Sequence, residues 1–296
     1  MKKAFLLIVM TAFAIGGWSQ SILSEVFNLP DEKERILGGD ASLLPSYEQK
    51  GTVYRDAEGN AVDALDFFKQ NGWDCIRVRL FVNPEKAPGT HKGEGVCQDI
   101  DYVVKFGKQI KQKGMKLMLD FHYSDTWADP GKQFIPHYWT THTVEALCDS
   151  VYAHTKASLI RMKAAGAEPE LIQVGNEITN GMLWPVGKIN HNESDNWDVL
   201  CHMIESGTKA CREVCPKSKI IIHTEKAGNW AITKRFYEEL RRHRNDYAIV
   251  GLSYYPRWHR NRGVLSATLD SLERYFPFKD VMIVETAAYY SHDNDR

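Results

Sequence analysis

Seven short, unbroken apolar runs recur along this 296-residue chain, at 36–41, 75–81, 116–122, 171–177, 219–224, 249–254 and 281–285. Runs of this kind are what parallel strands look like when both of their faces are covered, because neither face then meets water. Between them lie segments with helical amphipathic spacing, at 61–71, 98–113, 143–165, 195–214, 229–242 and 265–275. Strand, loop and helix repeated every ~30–55 residues is the βα rhythm of a parallel sheet. No Pro/Gly/Ser-rich linker breaks the series, so residues 21–296 are expected to form one domain. Residues 52–62, with Glu58-Gly59-Asn60 at their centre, read as a hairpin inside the first βα loop.

Two architectures share this rhythm, a doubly wound open sheet and a (β/α)8 barrel. The polar residues decide between them. A doubly wound sheet gathers its functional groups at one switch point and wants GxGxxG after the first strand. Gly38-Gly39-Asp40 lacks that spacing. A barrel spreads functional groups over the C-terminal ends of many strands. Here the ends carry Asp40, Arg77 and Arg79, Asp120 and His122, Asn176 and Glu177, His223, Tyr254 and Tyr255, and Glu285. The predicted fold is therefore an α/β chain forming a (β/α)8 (TIM) barrel.

The first twenty residues stand apart. Lys2 and Lys3 precede an uncharged, mostly apolar run at 4–15, and small residues follow at Gly16, Gly17 and Ser19. This is the pattern of a secretory signal peptide, cleaved near residues 17–21, and it predicts a secreted protein. No later stretch reaches the ~18 consecutive apolar residues of a membrane span, so no membrane insertion is expected after cleavage. Lys+Arg 37 against Asp+Glu 38 leaves no basic excess, which argues against nucleic acid as a partner. The six cysteines, at 75, 97, 148, 201, 211 and 215, allow fifteen pairings. They are read as buried or incidentally paired thiols. The histidines are scattered and HExxH is absent, so no metal and no cofactor are assigned.

Two carboxylates dominate the strand ends. In 171–177, period two puts Gln173, Gly175 and Glu177 on one face and Ile172 and Val174 on the other, so Glu177 is expected to point into the barrel. In 281–285, Ile283 and Glu285 share a face, leaving Met282 and Val284 for the helices. Paired carboxyls ~5–5.5 Å apart are what a retaining glycosidase needs, one as nucleophile and one as acid/base. Either glutamate alone could be a solvated cap or half of an ion pair. Arg79 is expected to hold Glu285 ionised and Tyr254 to donate a hydrogen bond to it, with Arg77 in a polar layer inside the barrel. Trp127, Trp139, Trp184, Trp230 and Trp258 all follow strands three to six, and aromatic faces suit sugar rings.

Several strings make the resemblance specific. They are Gly38-Gly39-Asp40-Ala41-Ser42; Ile76-Arg77-Val78-Arg79-Leu80; Asp120-Phe121-His122-Tyr123-Ser124-Asp125-Thr126-Trp127-Ala128-Asp129-Pro130; Val174-Gly175-Asn176-Glu177-Ile178; and Ile283-Val284-Glu285-Thr286. Over about 36–290 the chain resembles the arabinogalactan endo-β-1,4-galactanases, family 53 of the glycoside hydrolases. That resemblance implies hydrolysis of β-1,4-galactan through a covalent galactosyl-enzyme, with Glu177 as acid/base and Glu285 as nucleophile. It also implies substrate contacts from Asp40, Arg79, His122, Asp125, Trp127, Asn176 and Tyr254. The partner is the polysaccharide itself, acted on by a monomer. Competing readings are a barrel glycosidase acting on xylan, mannan or glucan, and an inactive sugar-binding barrel.

One expectation concerns the end of the chain. Eleven residues follow Glu285, fewer than the ~25 or more of a βα unit in a typical barrel. The eighth unit is therefore expected to be missing, leaving strands one and seven with unpaired edges and the chain unstable and weakly active or inactive.

Overall fold

The computed structural model describes residues 35–89, 95–190, 196–259 and 261–287; the expected signal segment lies outside them. Seven strands form one sheet in sequence order: β1 Gly38–Asp40, β2 Cys75–Leu80, β3 Lys116–Phe121, β4 Leu171–Val174, β5 Lys219–Thr224, β6 Ile249–Ser253 and β7 Asp280–Glu285. Every neighbouring pair is parallel. The crossovers are α1 Ala64–Gln70, α2 Ile100–Gln112, α3 Val144–Ala164, α4 Trp197–Val214, α5 Trp230–Arg242 and α6 Arg262–Tyr275. Side chains of Asp63, Asp99, Thr143, Asn229 and Asn261 cap five of them by accepting from a backbone N–H in the first turn, which explains why each helix begins where it does. This is the barrel architecture expected from the sequence. The expected hairpin is present as an antiparallel bridge between Arg55 and Ala61. The short helix Leu44–Gln49 in the same loop was not expected.

Alternation along the strands divides the apolar layer from the polar interior. Ile76, Val78 and Leu80 of β2, Leu117, Leu119 and Phe121 of β3, Ile172 and Val174 of β4, and Ile220 and Ile222 of β5 join the hydrophobic core. The alternate residues Arg77, Asp120, Gln173 and His223 turn the other way and bond to one another or to shared partners. In β7 the faces are the reverse of the expectation. Val281 and Ile283 pack against the core, while a Cβ at Gly251 of β6 would lie 3.4 Å from the Val284 side chain. The ladder between β6 and β7 shifts register at Leu252/Ser253, pairing Ser253 with Glu285. Such a bulge inserts one residue and resets alternation, so Glu285 reaches the interior although Ile283 does not.

Strand β7 is half-exposed along its whole length, unlike β4 and β6, which are buried throughout. Cα atoms of β1 and β7 come within 8 Å of one another, yet no hydrogen-bonded ladder joins them among the described residues. All six cysteines are free thiols, and five of them are buried. They behave here as small hydrophobes.

Candidate active site

The strand ends converge on a single buried cation. Arg77, 4% exposed, donates from Nη1 to Asp40 at 2.9 Å and from Nη2 to Asp120 at 2.8 Å and Glu285 at 2.7 Å. Nη2 also lies 2.9 Å from Oδ1 of Asn176. The guanidinium thus ties β1, β3 and the segment after β4 to β7 across the unladdered seam. The second oxygen of Glu285 accepts from the Tyr255 hydroxyl at 2.9 Å.

Glu177 arrives by a different route. Strand β4 stops at Val174, and Gly175 then takes φ +85, where a Cβ would lie 2.8 Å from Ile178. Glu177 itself sits at φ 49, ψ 50, in the left-handed region that a glutamate rarely adopts. Strain of this kind costs on the order of 1–3 kcal/mol and persists only where the surroundings enforce it. Those surroundings are visible. Its backbone N–H donates to Nδ1 of His223 at 3.3 Å, its backbone oxygen accepts from Gln133, and its Oε1 accepts from Ser253 at 2.6 Å.

The two carboxyls are held in opposite states. Burial, then the neighbouring charge of Glu285, pushes the Glu177 carboxyl up to about 8. Burial alone would raise Glu285 as well, but Arg77 foremost and His223 next bring it below the ordinary carboxylate range. At neutral pH one is an acid and the other an anion. Two carboxyls with such separated environments are the signature of acid and nucleophile sharing one site.

Comparison with known proteins agrees with this geometry. The family model for glycosyl hydrolase family 53 matches residues 36–296. The chain belongs to glycosyl hydrolase family 53. A probable arabinogalactan endo-β-1,4-galactanase A of Neosartorya fischeri is 34% identical, over 84% of this chain and 68% of its own length. The endo-β-1,4-galactanase of Bacillus subtilis is 33% identical, over 89% of this chain and 59% of its own. Among solved structures, the family 53 catalytic domain of Ignisphaera aggregans superimposes with a TM-score of 0.80 at 30% identity, covering 89% of this chain and 72% of that one.

Within this family 53 site, several expected contacts are redistributed. Glu285 is held by Arg77, not Arg79. The latter stacks its guanidinium 4.1 Å above the Trp127 ring and lies 3.4 Å from Asp40. Both arginines face inward, but Arg77 is the residue in register with Asp40 and sits deeper. The hydroxyl on Glu285 belongs to Tyr255, while Tyr254 is buried in the hydrophobic core. With Ser253 facing inward, period two makes Tyr255 the next inward residue. Asp125 accepts from the backbone of Asn83 at 2.9 Å and of His137 at 2.7 Å, so it pins two loops together. His122 is 1% exposed; it accepts from the Ala128 N–H and turns Nε2 toward Asp120, beneath Phe81 and Trp127. Asn176 is 3% exposed, with Oδ1 near Arg77 and Gln173 and Nδ2 donating to Ala128. Of the five tryptophans, Trp139 and Trp230 pack against the core, whereas Trp258 is 70% exposed.

Ser253, His223 and Glu225 join the site beyond the residues expected there from the sequence. Glu225 is buried and accepts from Thr179, two residues beyond Glu177. Strand-end position flags His223, but nothing local in the sequence marks Ser253 or Glu225.

Arg77→Ala should leave Asp120, Glu285 and Asp40 without their shared countercharge. Removing one partner of a buried ionic cluster costs about 3–5 kcal/mol. The expected result is a urea midpoint lowered accordingly, together with a rise in the pH at which Glu285 ionises. An unchanged midpoint would show that Arg77 does not hold the seam.

Proposed function

We propose that this protein is a secreted, endo-acting, retaining β-1,4-galactanase, hydrolysing galactan through a covalent galactosyl-enzyme. The reading rests on one observation above all. Glu177 and Glu285 share a hydrogen-bonded network, and their surroundings favour a neutral acid on one and an anion on the other. A neutral Glu177 can protonate the glycosidic oxygen while the Glu285 anion attacks the anomeric carbon. Once Glu285 is esterified its charge is gone, the Glu177 pKa falls, and the same carboxylate can take a proton from water. Galactan as substrate is supported by the names of the relatives, which are galactanases at 33–34% identity.

The direct test is reducing-end release from unbranched β-1,4-galactan, run beside xylan, mannan and β-glucan. Release from galactan alone is expected. Preferential release from another polymer would redirect the substrate assignment, and release from none would favour an inactive sugar-binding barrel. Secretion is tested separately, by sequencing the N-terminus of exported protein, which should begin near residues 18–22.

A further inference from the structure

A three-group chain stands behind the acid/base carboxyl. The Ser253 hydroxyl, on β6, donates to Oε1 of Glu177 at 2.6 Å and lies 2.8 Å from Nε2 of His223, on β5. The direction of the hydrogens follows from the far end. The backbone N–H of Glu177 points at Nδ1 of His223, and a backbone N–H can only donate. Nδ1 therefore carries the lone pair and Nε2 the hydrogen. The Asn176 oxygen 3.0 Å from Nδ1 is served instead by the Gln173 amide. Burial holds the imidazole neutral, so Nε2–H is its one ring donor. It donates to Ser253, which leaves the single serine hydrogen for Glu177.

Oε1 of Glu177 is thereby fixed as an acceptor. We propose that Ser253, held by His223, is a positioning residue that fixes the acidic proton of Glu177 on Oε2 and aims it at the glycosidic oxygen. This rests on the glycosidase reading above. A free carboxyl divides its proton between two oxygens, and proton transfer to a leaving group is efficient only from the one in hydrogen-bond reach. The same serine stabilises the carboxylate that must later accept a proton from water, since a donor to the charged form favours that form. The charges facing Glu177 are Glu285 on β7, Glu225 beyond β5 and Asp129 beyond β3. Those facing His223 are Glu285, Arg77, Asp120 and His122. Ser253 is the uncharged donor to Glu177 in this group, so its removal alters the carboxyl without altering net charge.

The test uses the full chain with Ser253→Ala and Ser253→Thr, two substrates and one titration. On galactan, whose leaving group needs a proton, Ser253→Ala should lower kcat/KM by about tenfold to a hundredfold, a share of what general acid catalysis supplies. On a dinitrophenyl β-galactobioside, whose leaving group needs none, the loss should stay within about threefold. The alkaline limb of the galactan pH profile should move up by about one unit, because the carboxylate has lost a donor. Ser253→Thr, which keeps the hydroxyl, should restore all three. Should the alanine variant fail to fold, Ser253→Cys, a weaker donor, should give intermediate values. Equal losses on both substrates with an unmoved alkaline limb would overturn the proposal. A carbon-13 NMR titration of the Glu177 carboxyl needs no turnover: a raised pKa in Ser253→Ala supports the proposal and an unchanged one refutes it. Wild-type protein inert on galactan but normal in that titration would count against the galactanase reading alone.

Discussion

Glu285→Gln is expected to reduce galactan hydrolysis by at least about a thousandfold while leaving galactan binding measurable. The amide keeps the shape, and its one oxygen can still accept from Arg77, but it cannot form the glycosyl ester. It also removes the negative charge that helps raise Glu177, so the Glu177 carboxyl should titrate lower in this variant. Initial-rate assays beside affinity electrophoresis on galactan gels check both halves. Residual turnover within tenfold of wild type would remove Glu285 from the nucleophile's role.

Glu177→Ala has a different signature. Without the acid, galactan cleavage should fall by about a hundredfold to ten thousandfold. An aryl galactoside with a good leaving group should still load Glu285, and azide, which needs no base, should then release β-galactosyl azide. In the wild type, the same residue sets the alkaline side of the profile. Its folded-state pKa is raised, so the protonated acid is present at low pH and is lost as pH rises through about 8, taking kcat/KM down with it. Glu285 is lowered, so the nucleophilic anion persists down to pH values below the ordinary carboxylate range and is lost only beneath them. A product with an α-linked azide would contradict double displacement.

How much of this was legible in the sequence depended on whether alternation held. Where strand β4 ran without interruption, apolar period two sorted Ile172 and Val174 outward from Gln173, as the structure has them. The βα count and the order of strands were readable for the same reason, whereas Glu177, beyond the end of β4, and Glu285, past the register shift of β7, were marked by their strand-end positions. Alternation failed at β7, where the bulge opposite Ser253 reversed the faces of Met282 to Val284 while still delivering Glu285 inward. Assigning the Glu285 donor to Tyr254 rather than Tyr255 was a one-residue error of that kind. The exchange of Arg77 and Arg79 had another cause. Both lie on one face, and only depth in the barrel, set by the register with Asp40, decides which one meets Glu285. His122, Asp125 and Asn176 are buried, with their visible partners inside the protein, and a motif string does not distinguish such support from direct sugar contact. The Ser253–His223 pair joins side chains 30 positions apart on two strands, a contact that local pattern cannot reveal.

The most direct test of the central claim is to trap the intermediate. In a 2-deoxy-2-fluoro-β-galactobioside with an activated leaving group, the fluorine slows both displacements and the leaving group restores only the first, so the ester should accumulate. Peptide mapping by mass spectrometry is expected to find the fluorosugar on the peptide that ends β7, attached to Glu285, with labelling abolished in Glu285→Gln. A sugar attached to any other residue, or hydrolysis of galactan that first releases the α-anomer with no covalent adduct, would contradict the account.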